Sequence, residues 1–395
     1  MPNPLLQTIC QFPHRGAATP NERDAARLLA EELTRRGATA RLEPFQTPKT
    51  YVTIVYWLIG GLLAGGLLVV SSGFLLQQMG LLIAVFFLGQ AWLYFNWRPT
   101  LVSRWPVQHT ALNVVAKWPS ATNNVPADVP HPPTHVVLMA HYDTAPVSAL
   151  YGPKQQRGFR RSLIVSLGVM AVGVGLLFVH AFAPPMAWVG WGIGLVATYL
   201  VAQAVLGSIG YWTRGYTNGA SDNATGVVAA LETADRLRHV PGLLVEVVLP
   251  SAEEAGMVGS LAYFRRNRPN WPAGGQHTVV INFDTLGAGK LTVIEQTGTV
   301  EALRYDNALT QLARQLTEQP LFRERTQIGR WHTADFDSVW FLRANVPTLA
   351  LCALAPDGTM PRIHRPDDVL AAVDETPLHT AVDFAEAVVL AWRGR

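Results

Sequence analysis

Two long apolar segments that almost lack titratable side chains place the strongest constraint on the fold of this 395-residue chain. Residues 50–97 contain no Asp, Glu, Lys, Arg or His, and residues 162–213 contain only His180. Each segment is roughly twice as long as the ~20 residues that an α-helix needs to cross a bilayer. Buried helices of soluble proteins rarely run this far without a charge. Each segment is therefore predicted to form a pair of membrane helices.

A short polar or proline-containing break divides each segment into two. The first break is Gln-Gln-Met-Gly at residues 77–80, and the second contains His180 and two prolines. The four predicted membrane helices are residues 54–72, 81–97, 163–179 and 186–205. The chain is thus predicted to contain two transmembrane hairpins, 51–98 and 162–213, and each hairpin returns the chain to the side of the bilayer that it left.

The basic residues around the hairpins predict which side this is. Cytoplasmic loops of membrane proteins carry an excess of Lys and Arg, and residues 1–50 lack the pattern of a signal peptide. Cys10 and Cys352 can form at most one disulfide and are expected to form none, as in a reducing compartment. The flanking basic residues are Lys49, Arg98, Arg104, Lys154, Arg157, Arg160, Arg161 and Arg214, and the hairpin tips carry none. The remaining chain is therefore predicted to lie on the cytoplasmic face.

Outside the hairpins, the pattern predicts one discontinuous catalytic domain made of residues 1–50, 99–161 and 214–395. Short apolar runs rich in β-branched residues alternate with segments of helical periodicity. The predicted strands are residues 136–140, 244–249, 279–283 and 347–351, and the predicted helices are 19–37, 226–237 and 302–316. This alternation is typical of an α/β fold with a doubly wound, mostly parallel or mixed sheet and helices on both faces.

Polar motifs follow several of these strands or occupy Gly-rich turns. Each is weak alone, since such residues are often surface pairs or helix caps. Together they mix imidazole and carboxylate groups, which suits a pair of Zn²⁺ ions in a hydrolase better than a structural zinc site made of cysteines. In chain order the candidates are His141, Asp143, Asp222, Glu253, Glu254, Asp284 and His364.

These motifs resemble those of the M28 family of zinc aminopeptidases. The similarity lies in His-Tyr-Asp-Thr at 141–144, Gly-Ala-Ser-Asp-Asn-Ala-Thr-Gly at 219–226, Glu-Glu-Ala-Gly-Met-Val-Gly-Ser at 253–260, Asp-Thr-Leu-Gly at 284–287, and His364. It covers the chain apart from the two apolar insertions. The resemblance implies a zinc-exopeptidase-like fold, two bound Zn²⁺ ions (or Mn²⁺ or Co²⁺), and removal of N-terminal residues from peptides.

The resemblance also implies the metal ligands. Asp222 would bridge both metal ions with its two carboxylate oxygens. His141 and Asp284 would complete one metal site, and Glu254 and His364 would complete the other.

Two further roles follow from the same resemblance. Glu253 would be the general base that deprotonates the attacking water, and Asp143 would accept the N–H of His141 and so fix its tautomer. Some family members carry a Tyr just before the last His ligand, where this chain has Ile363. His332 and Asp335 are weaker candidates for contact with substrate.

Alternative functions remain open at this point. They are a related-fold zinc amidohydrolase or cyclising acyltransferase, and a non-catalytic membrane receptor or scaffold. The expected partners are peptide substrates and the lipid bilayer. A net charge of +3 with mixed signs argues against a nucleic-acid partner, and the oligomeric state stays open. Because both hairpins interrupt the catalytic domain, its active site is hypothesised to open near the bilayer and to take membrane-associated peptides or fragments released by intramembrane proteolysis.

Overall fold

The structure, a computed structural model, describes residues 3–71, 73–105, 108–118, 133–275 and 277–394. Within these ranges it contains one mixed β-sheet of nine strands, flanked by helices. The strands are β1 (Thr39–Thr47), β2 (His109–Lys117), β3 (Thr134–Met139), β4 (Leu243–Leu249), β5 (Thr278–Asp284), β6 (Lys290–Thr297), β7 (Leu303–Arg304), β8 (Thr326–Arg330) and β9 (Thr348–Leu354). The helices are α1 (Pro4–Cys10), α2 (Pro20–Arg35), α3 (Tyr51–Ser71), α4 (Phe74–Phe95), α5 (Gln156–Phe182), α6 (Ala187–Arg214), α7 (Thr225–Leu237), α8 (Val258–Asn267), α9 (Ala308–Thr317), α10 (Val339–Arg343) and α11 (Thr376–Arg393).

The centre of the sheet is parallel and its margins are antiparallel. The strand order is β1-β2-β4-β3-β5-β9-β6-β7, and β8 pairs with β6. Strands β4, β3, β5 and β9 are parallel neighbours. These are the four strands predicted from the sequence. Their apolar runs are continuous rather than alternating because helices cover both faces of the sheet.

The two faces of the sheet bury different helices. On one face, α2, α7, α9 and α11 pack around Val136, Leu138 and Ile281. On the other face, α8 and α10 pack through Tyr263 and Phe341 against residues such as Val137. The prediction of a doubly wound α/β sheet is therefore confirmed.

Capping residues mark the first residue of a helix more accurately than the apolar periodicity of the sequence does. As predicted, α2 begins after Thr19, whose hydroxyl accepts the N–H of Glu22. The helix predicted at 302–316 begins only at Ala308. Residues 303–304 instead pair with β6, and the side chain of Asn307 caps the helix by accepting two backbone N–H groups.

Four helices, α3 to α6, are long and apolar enough to cross a membrane. The predicted break at residues 77–80 is wrong, because these residues lie inside α4, and α3 ends at Ser71 with Ser72 outside the described residues. Gly80 allows two helices to pack closely and does not form a turn. A Cβ atom on Gly65 would lie 2.7 Å from the Gly80 carbonyl oxygen, so both glycines are needed for the close approach of α3 and α4.

Both helical hairpins leave the sheet at the same edge. Strand β1 is antiparallel to β2, which is antiparallel to β4, so β1 ends at the edge where β3, β4 and β5 also end. The first hairpin connects β1 to β2, and the second follows β3. The helix ends nearest the sheet therefore lie beside the carboxyl ends of the central parallel strands, where open α/β sheets bind ligands.

Candidate metal centre

The central strands deliver three parts of the site to one edge of the sheet. His141 follows the end of β3, Asp284 is the last residue of β5, and Glu253 and Glu254 lie in the turn after β4. Asp222 lies in the buried segment Ala220–Ala224, directly before α7, where its backbone is not helical. The loop after β9 supplies the final residue, His364.

The structure brings all the predicted ligands together. His141, Asp222 and Asp284 form one group whose ligand atoms lie within 4.8 Å of one another, and Asp222, Glu254 and His364 form a second. Nε2 of His141 lies 3.3 Å from Oδ1 of Asp222, whereas Nε2 of His364 lies 3.5 Å from Oδ2 of the same carboxylate. Asp222 thus directs one oxygen to each group.

The unpartnered atoms of the site fit a bound cation. Among the residues that the structure describes, Oδ2 of Asp222 and Oε1 of Glu254 are buried and have no hydrogen-bond partner. Buried carboxylate oxygens without a donor are costly, and divalent metal ions satisfy them. Imidazole and carboxylate donors in this combination are ligands that Zn²⁺ accepts.

The electrostatics of the site also favour added positive charge. Burial raises the pKa of Glu253 and of Glu254 well above the usual range, and each has other carboxylates nearby. Burial raises the pKa of Asp284 to about 6. For Asp222, burial opposes ionisation, but the hydrogen bond with His141 and the nearby charges of His141 and His364 together outweigh it and lower the pKa. Cations between these groups would stabilise their ionised forms.

Asp143 contacts more of the site than its expected histidine partner. Nδ1 of His141 lies 3.2 Å from the backbone carbonyl of Asp143 and 3.5 Å from its carboxylate. The same carboxylate accepts the backbone N–H of Glu253 at 3.1 Å and that of Glu254 at 3.4 Å. Asp143 therefore positions the Glu-Glu turn, a contact that the sequence did not predict.

Comparison with known proteins shows a family similarity over the C-terminal part of the chain. Residues 198–389 match the model of peptidase family M28, a range that includes Asp222, Glu253, Glu254, Asp284 and His364. This part of the chain is similar to peptidase family M28. The resemblance inferred from the motifs is thereby confirmed, although no curated protein sequence matches this one.

Solved structures share the fold of this protein at low identity. The aminopeptidase LapA of Legionella pneumophila is 12% identical, with a TM-score of 0.51, over 99% of this chain and 68% of LapA. A Zn-dependent exopeptidase from Parabacteroides distasonis is 14% identical, with a TM-score of 0.53, over 98% and 95%. The glutaminyl cyclase of Porphyromonas gingivalis is 13% identical, with a TM-score of 0.55, over 98% and 96%. These similarities confirm the zinc-exopeptidase-like fold. The similar proteins include both exopeptidases and a glutaminyl cyclase.

Two residues that position the candidate metal centre were missed in the sequence. The Asp368 carboxylate accepts the backbone N–H of Ser221 at 2.8 Å and that of Asp222 at 3.1 Å. Arg15, fully buried, donates to the carbonyl oxygens of Tyr142 and Gly219 and so joins the loops that carry His141 and Asp222. The only local signal was the position of Asp368 shortly after His364. Arg15 contacts backbone groups, which leave no mark in a sequence.

A buried amide links the turn of Asp222 to β5. The Asn223 side chain donates to the carbonyl of Phe283 at 2.9 Å and accepts the N–H of Gly226 at 3.0 Å and that of Thr285 at 3.1 Å. All hydrogen-bonding atoms of this side chain except one amide hydrogen are thereby engaged. Asn223 therefore holds Asp222 at a defined distance from Asp284.

The two weaker substrate-side candidates, His332 and Asp335, differ in burial, and His332 is only half-buried. Asp335 is buried and accepts hydrogen bonds from Thr297, Tyr305 and the backbone of Phe336, which indicates a structural role. The neighbouring Asp337, missed in the sequence, is buried, and neither of its carboxylate oxygens has a hydrogen-bond partner within the described ranges. Burial raises the pKa of Asp337 to about 7.

Tyr151 is an aromatic neighbour of the site that the sequence did not reveal. Its ring lies 4.4 Å from the ring of His364, measured between centroids. The residue before His364 is Ile363, where some family members carry a tyrosine. An aromatic group from a different part of the chain therefore packs against His364.

Proposed function

We propose that this protein is a membrane-anchored aminopeptidase that uses two zinc ions to remove N-terminal residues from peptides. The observation that carries the proposal is the division of the Asp222 carboxylate between two groups of ligand atoms, with His141 and Asp284 on one side and Glu254 and His364 on the other. A complete set of donors for two ions argues for a dinuclear hydrolase.

The donor set assigns the residues that would hold each ion. His141, Asp222 and Asp284 would hold one, and Asp222, Glu254 and His364 the other; Mn²⁺ or Co²⁺ would suit the same donors. Bound zinc ions acidify water and stabilise negative charge on a substrate carbonyl oxygen. Asp368 and Asn223 keep the Asp222 carboxylate in place through the backbone and the adjoining turn.

Glu253 would move the proton in this reaction. It lies beside His141 and Glu254, within 4.8 Å by its closest ligand atom, and Asp143 holds its backbone. As water adds to the scissile carbonyl carbon, Glu253 takes a proton from it. When the C–N bond breaks, Glu253 gives that proton to the leaving amine, so the carboxylate is regenerated.

The four apolar helices support a membrane anchor. Large apolar side chains on their outer surfaces are exposed, among them Leu67, Phe74, Leu82, Val172, Trp191 and Leu195. Such surface is costly in water and suits contact with lipid. We place the catalytic domain on the cytoplasmic face, since the basic residues flank the helix ends on that side. Cys10 and Cys352 are both free.

Labelling of single introduced cysteines tests this orientation. Cysteines at exposed positions of the catalytic domain, in a background without Cys10 and Cys352, should react with a membrane-impermeant thiol reagent only after the cells are opened. A cysteine at the hairpin tip near His180 should react in intact cells. The reverse pattern would place the catalytic domain outside.

Hydrolysis of a defined peptide panel tests the reaction. Detergent-purified, zinc-loaded protein should cleave peptides with free N-termini and leave N-acetylated ones intact. Glu253→Gln should lower the rate by at least ~100-fold, as expected for loss of a general base, while two zinc ions per chain remain bound. Glu324→Gln is the matched control, because Glu324 is exposed.

The failures of this test are informative. Equal cleavage of acetylated peptides would indicate an amidohydrolase or endopeptidase. Retained zinc without cleavage of any peptide would favour a receptor or scaffold.

The likeness to glutaminyl cyclases calls for one further substrate. With a peptide that begins with glutamine, an aminopeptidase releases free glutamine. A cyclase instead lets the α-amine attack the side-chain amide, so that ammonia leaves and a pyroglutamyl peptide remains. Formation of ammonia without free glutamine would overturn the aminopeptidase proposal.

A further inference from the structure

A cavity joins the candidate metal centre to the interior of the membrane helices. Its volume is about 180 Å³. At one end it is lined by site residues such as Asp222, Glu253 and His364, and at the other by Met170 and Leu200 of the helical bundle. All four apolar helices contribute to its wall.

The cavity extends well into the predicted membrane region. Along α3 its wall runs from Tyr51 to Ile59, and along α6 from Ser208 to Leu200. At a rise of ~1.5 Å per residue, each wall is about 12 Å long. Half the hydrocarbon thickness of a bilayer is about 15 Å. The cavity wall along these helices is therefore nearly as long as half the hydrocarbon thickness.

The wall changes from charged to apolar along this depth. Within the part of the chain that the structure describes, the charged side chains lining the cavity all come from the catalytic domain and none from the four helices. Several polar side chains of the helical part form hydrogen bonds with other hydroxyl groups. The Tyr56 hydroxyl bonds Ser208, and the hydroxyls of Ser166 and Tyr199 are 3.0 Å apart. The deep end therefore offers mainly contact with hydrocarbon.

The helices that form the wall are held on the catalytic domain. Gln156 of α5 donates to the carbonyl of Met360 at 2.8 Å, and Arg160 donates to that of Thr299 at 2.9 Å. At the end of α4, Asn96 accepts the N–H of Glu301 at 2.8 Å. These bonds fix both hairpins relative to the metal centre, so the cavity is a built extension of the site.

We propose that the two membrane hairpins form the pocket for the N-terminal side chain of the substrate, and that this pocket selects a long aliphatic chain. The proposal rests on the proposed aminopeptidase function. In that reaction only the first residue of the peptide lies on the N-terminal side of the scissile bond, so its side chain is the group that can extend into the pocket. A cavity of ~150 Å³ accommodates benzene, and this cavity, with the space at the metal centre included, measures about 180 Å³. Burial of a charged or polar chain there would cost its hydration.

A series of 2-aminoalkanoyl amides of a fluorogenic amine tests this selection. Lengthening the unbranched side chain from methyl to octyl should raise kcat/KM about fourfold per buried methylene, the factor that corresponds to its transfer from water to an apolar environment. The increase should end where the chain fills the cavity. A kcat/KM that is flat or falls from methyl to hexyl would overturn the proposal.

Two variants fill the cavity without touching the metal ligands. Ala204→Phe on α6 and Val55→Phe on α3, both in the cavity wall, should each shift the optimum to shorter chains. The matched control is Leu206→Phe, because Leu206 is 49% exposed on the outer surface of α6. An unchanged chain-length optimum in both folded, zinc-binding variants would overturn the proposal.

Product binding separates this proposal from the reaction itself. Free 2-aminoalkanoic acids of the same chain lengths are titrated calorimetrically into wild-type and Ala204→Phe protein. Affinity that rises with chain length, and is reduced by Ala204→Phe for the long members, supports the pocket even if no peptide is cleaved. Affinity that is independent of chain length overturns it even if peptides are cleaved.

Discussion

Asp368 provides a sharp test of how the site is held together. Its buried carboxylate uses both oxygens, one for the backbone N–H of Ser221 and one for that of Asp222. In Asp368→Asn, one oxygen becomes an amide nitrogen, which donates and cannot accept. One of the two backbone N–H groups is then left without its partner, in a place from which water is excluded.

The magnitude follows from the bond that is lost. A hydrogen bond to a charged acceptor contributes about 1.5–3 kcal/mol. If that cost falls on the placement of the Asp222 carboxylate, zinc binding weakens by about 10- to 150-fold, because ~1.4 kcal/mol is a factor of ten in affinity. Partners that orient metal ligands typically contribute 10- to 100-fold to metal affinity. This range agrees with the weakening expected for Asp368→Asn.

The assay is competition for zinc with a chelator of known affinity, on detergent-purified protein. Asp367→Asn is the matched control, because Asp367 is half exposed and pairs with Arg365 at the surface; its zinc affinity should be unchanged. Thermal unfolding of the metal-free variants shows whether each is folded. If folded Asp368→Asn binds zinc within threefold of the wild-type affinity, then these hydrogen bonds do not position Asp222 and the reasoning fails.

Two further predictions concern stability. Gly65→Ala should lower the free energy of unfolding by ~1–3 kcal/mol, because the new Cβ would lie 2.7 Å from the Gly80 carbonyl oxygen. Gly60→Ala, with no atom within 4 Å of its Cβ, should not; equal thermal unfolding midpoints for the two variants in detergent would contradict this account of the hairpin. Glu246 is buried, which opposes its ionisation, but bonds with His135 at 2.8 Å and Lys117 at 3.1 Å outweigh burial and lower its pKa below the ordinary value of 4.5. A depressed pKa stabilises the fold above the ordinary value, and this stabilisation is lost as the pH falls through the folded-state pKa. Glu246→Gln should therefore cost ~1.5–3 kcal/mol at pH 7, and its difference from wild type in chemical unfolding should shrink below pH ~4.5; a constant difference would exclude the charge as the cause.

Local patterns predicted the central strands and most helices. The strands β3, β4, β5 and β9 were found because a strand buried on both faces has a continuous apolar run with a clear beginning and end. The start of α2 was found because Thr19 and Pro20 carry the chemistry of a helix N-terminus. Such signals lie within a few residues of each other, and no distant contact is needed to interpret them.

Where local and distant contacts compete, the prediction was wrong. Gly80 and the glutamines before it suggested a turn, but Gly80 lies in the middle of α4, where it allows close contact with Gly65. A glycine that permits a turn and a glycine that permits close helix packing look the same in a sequence. Only the partner helix distinguishes them.

The sequence by itself determined the identities of the candidate ligands, the two apolar hairpins and the α/β alternation, because each is written in the spacing of neighbouring residues. The tertiary structure decided what these parts do together. It placed the ends of β1, β3, β4 and β5 at one edge of the sheet, so that both hairpins meet the metal centre and enclose a cavity. It also brought Arg15 and Asp368 to backbone groups about 200 and 150 residues away. Such contacts depend on sheet order and chain direction, which no local pattern records.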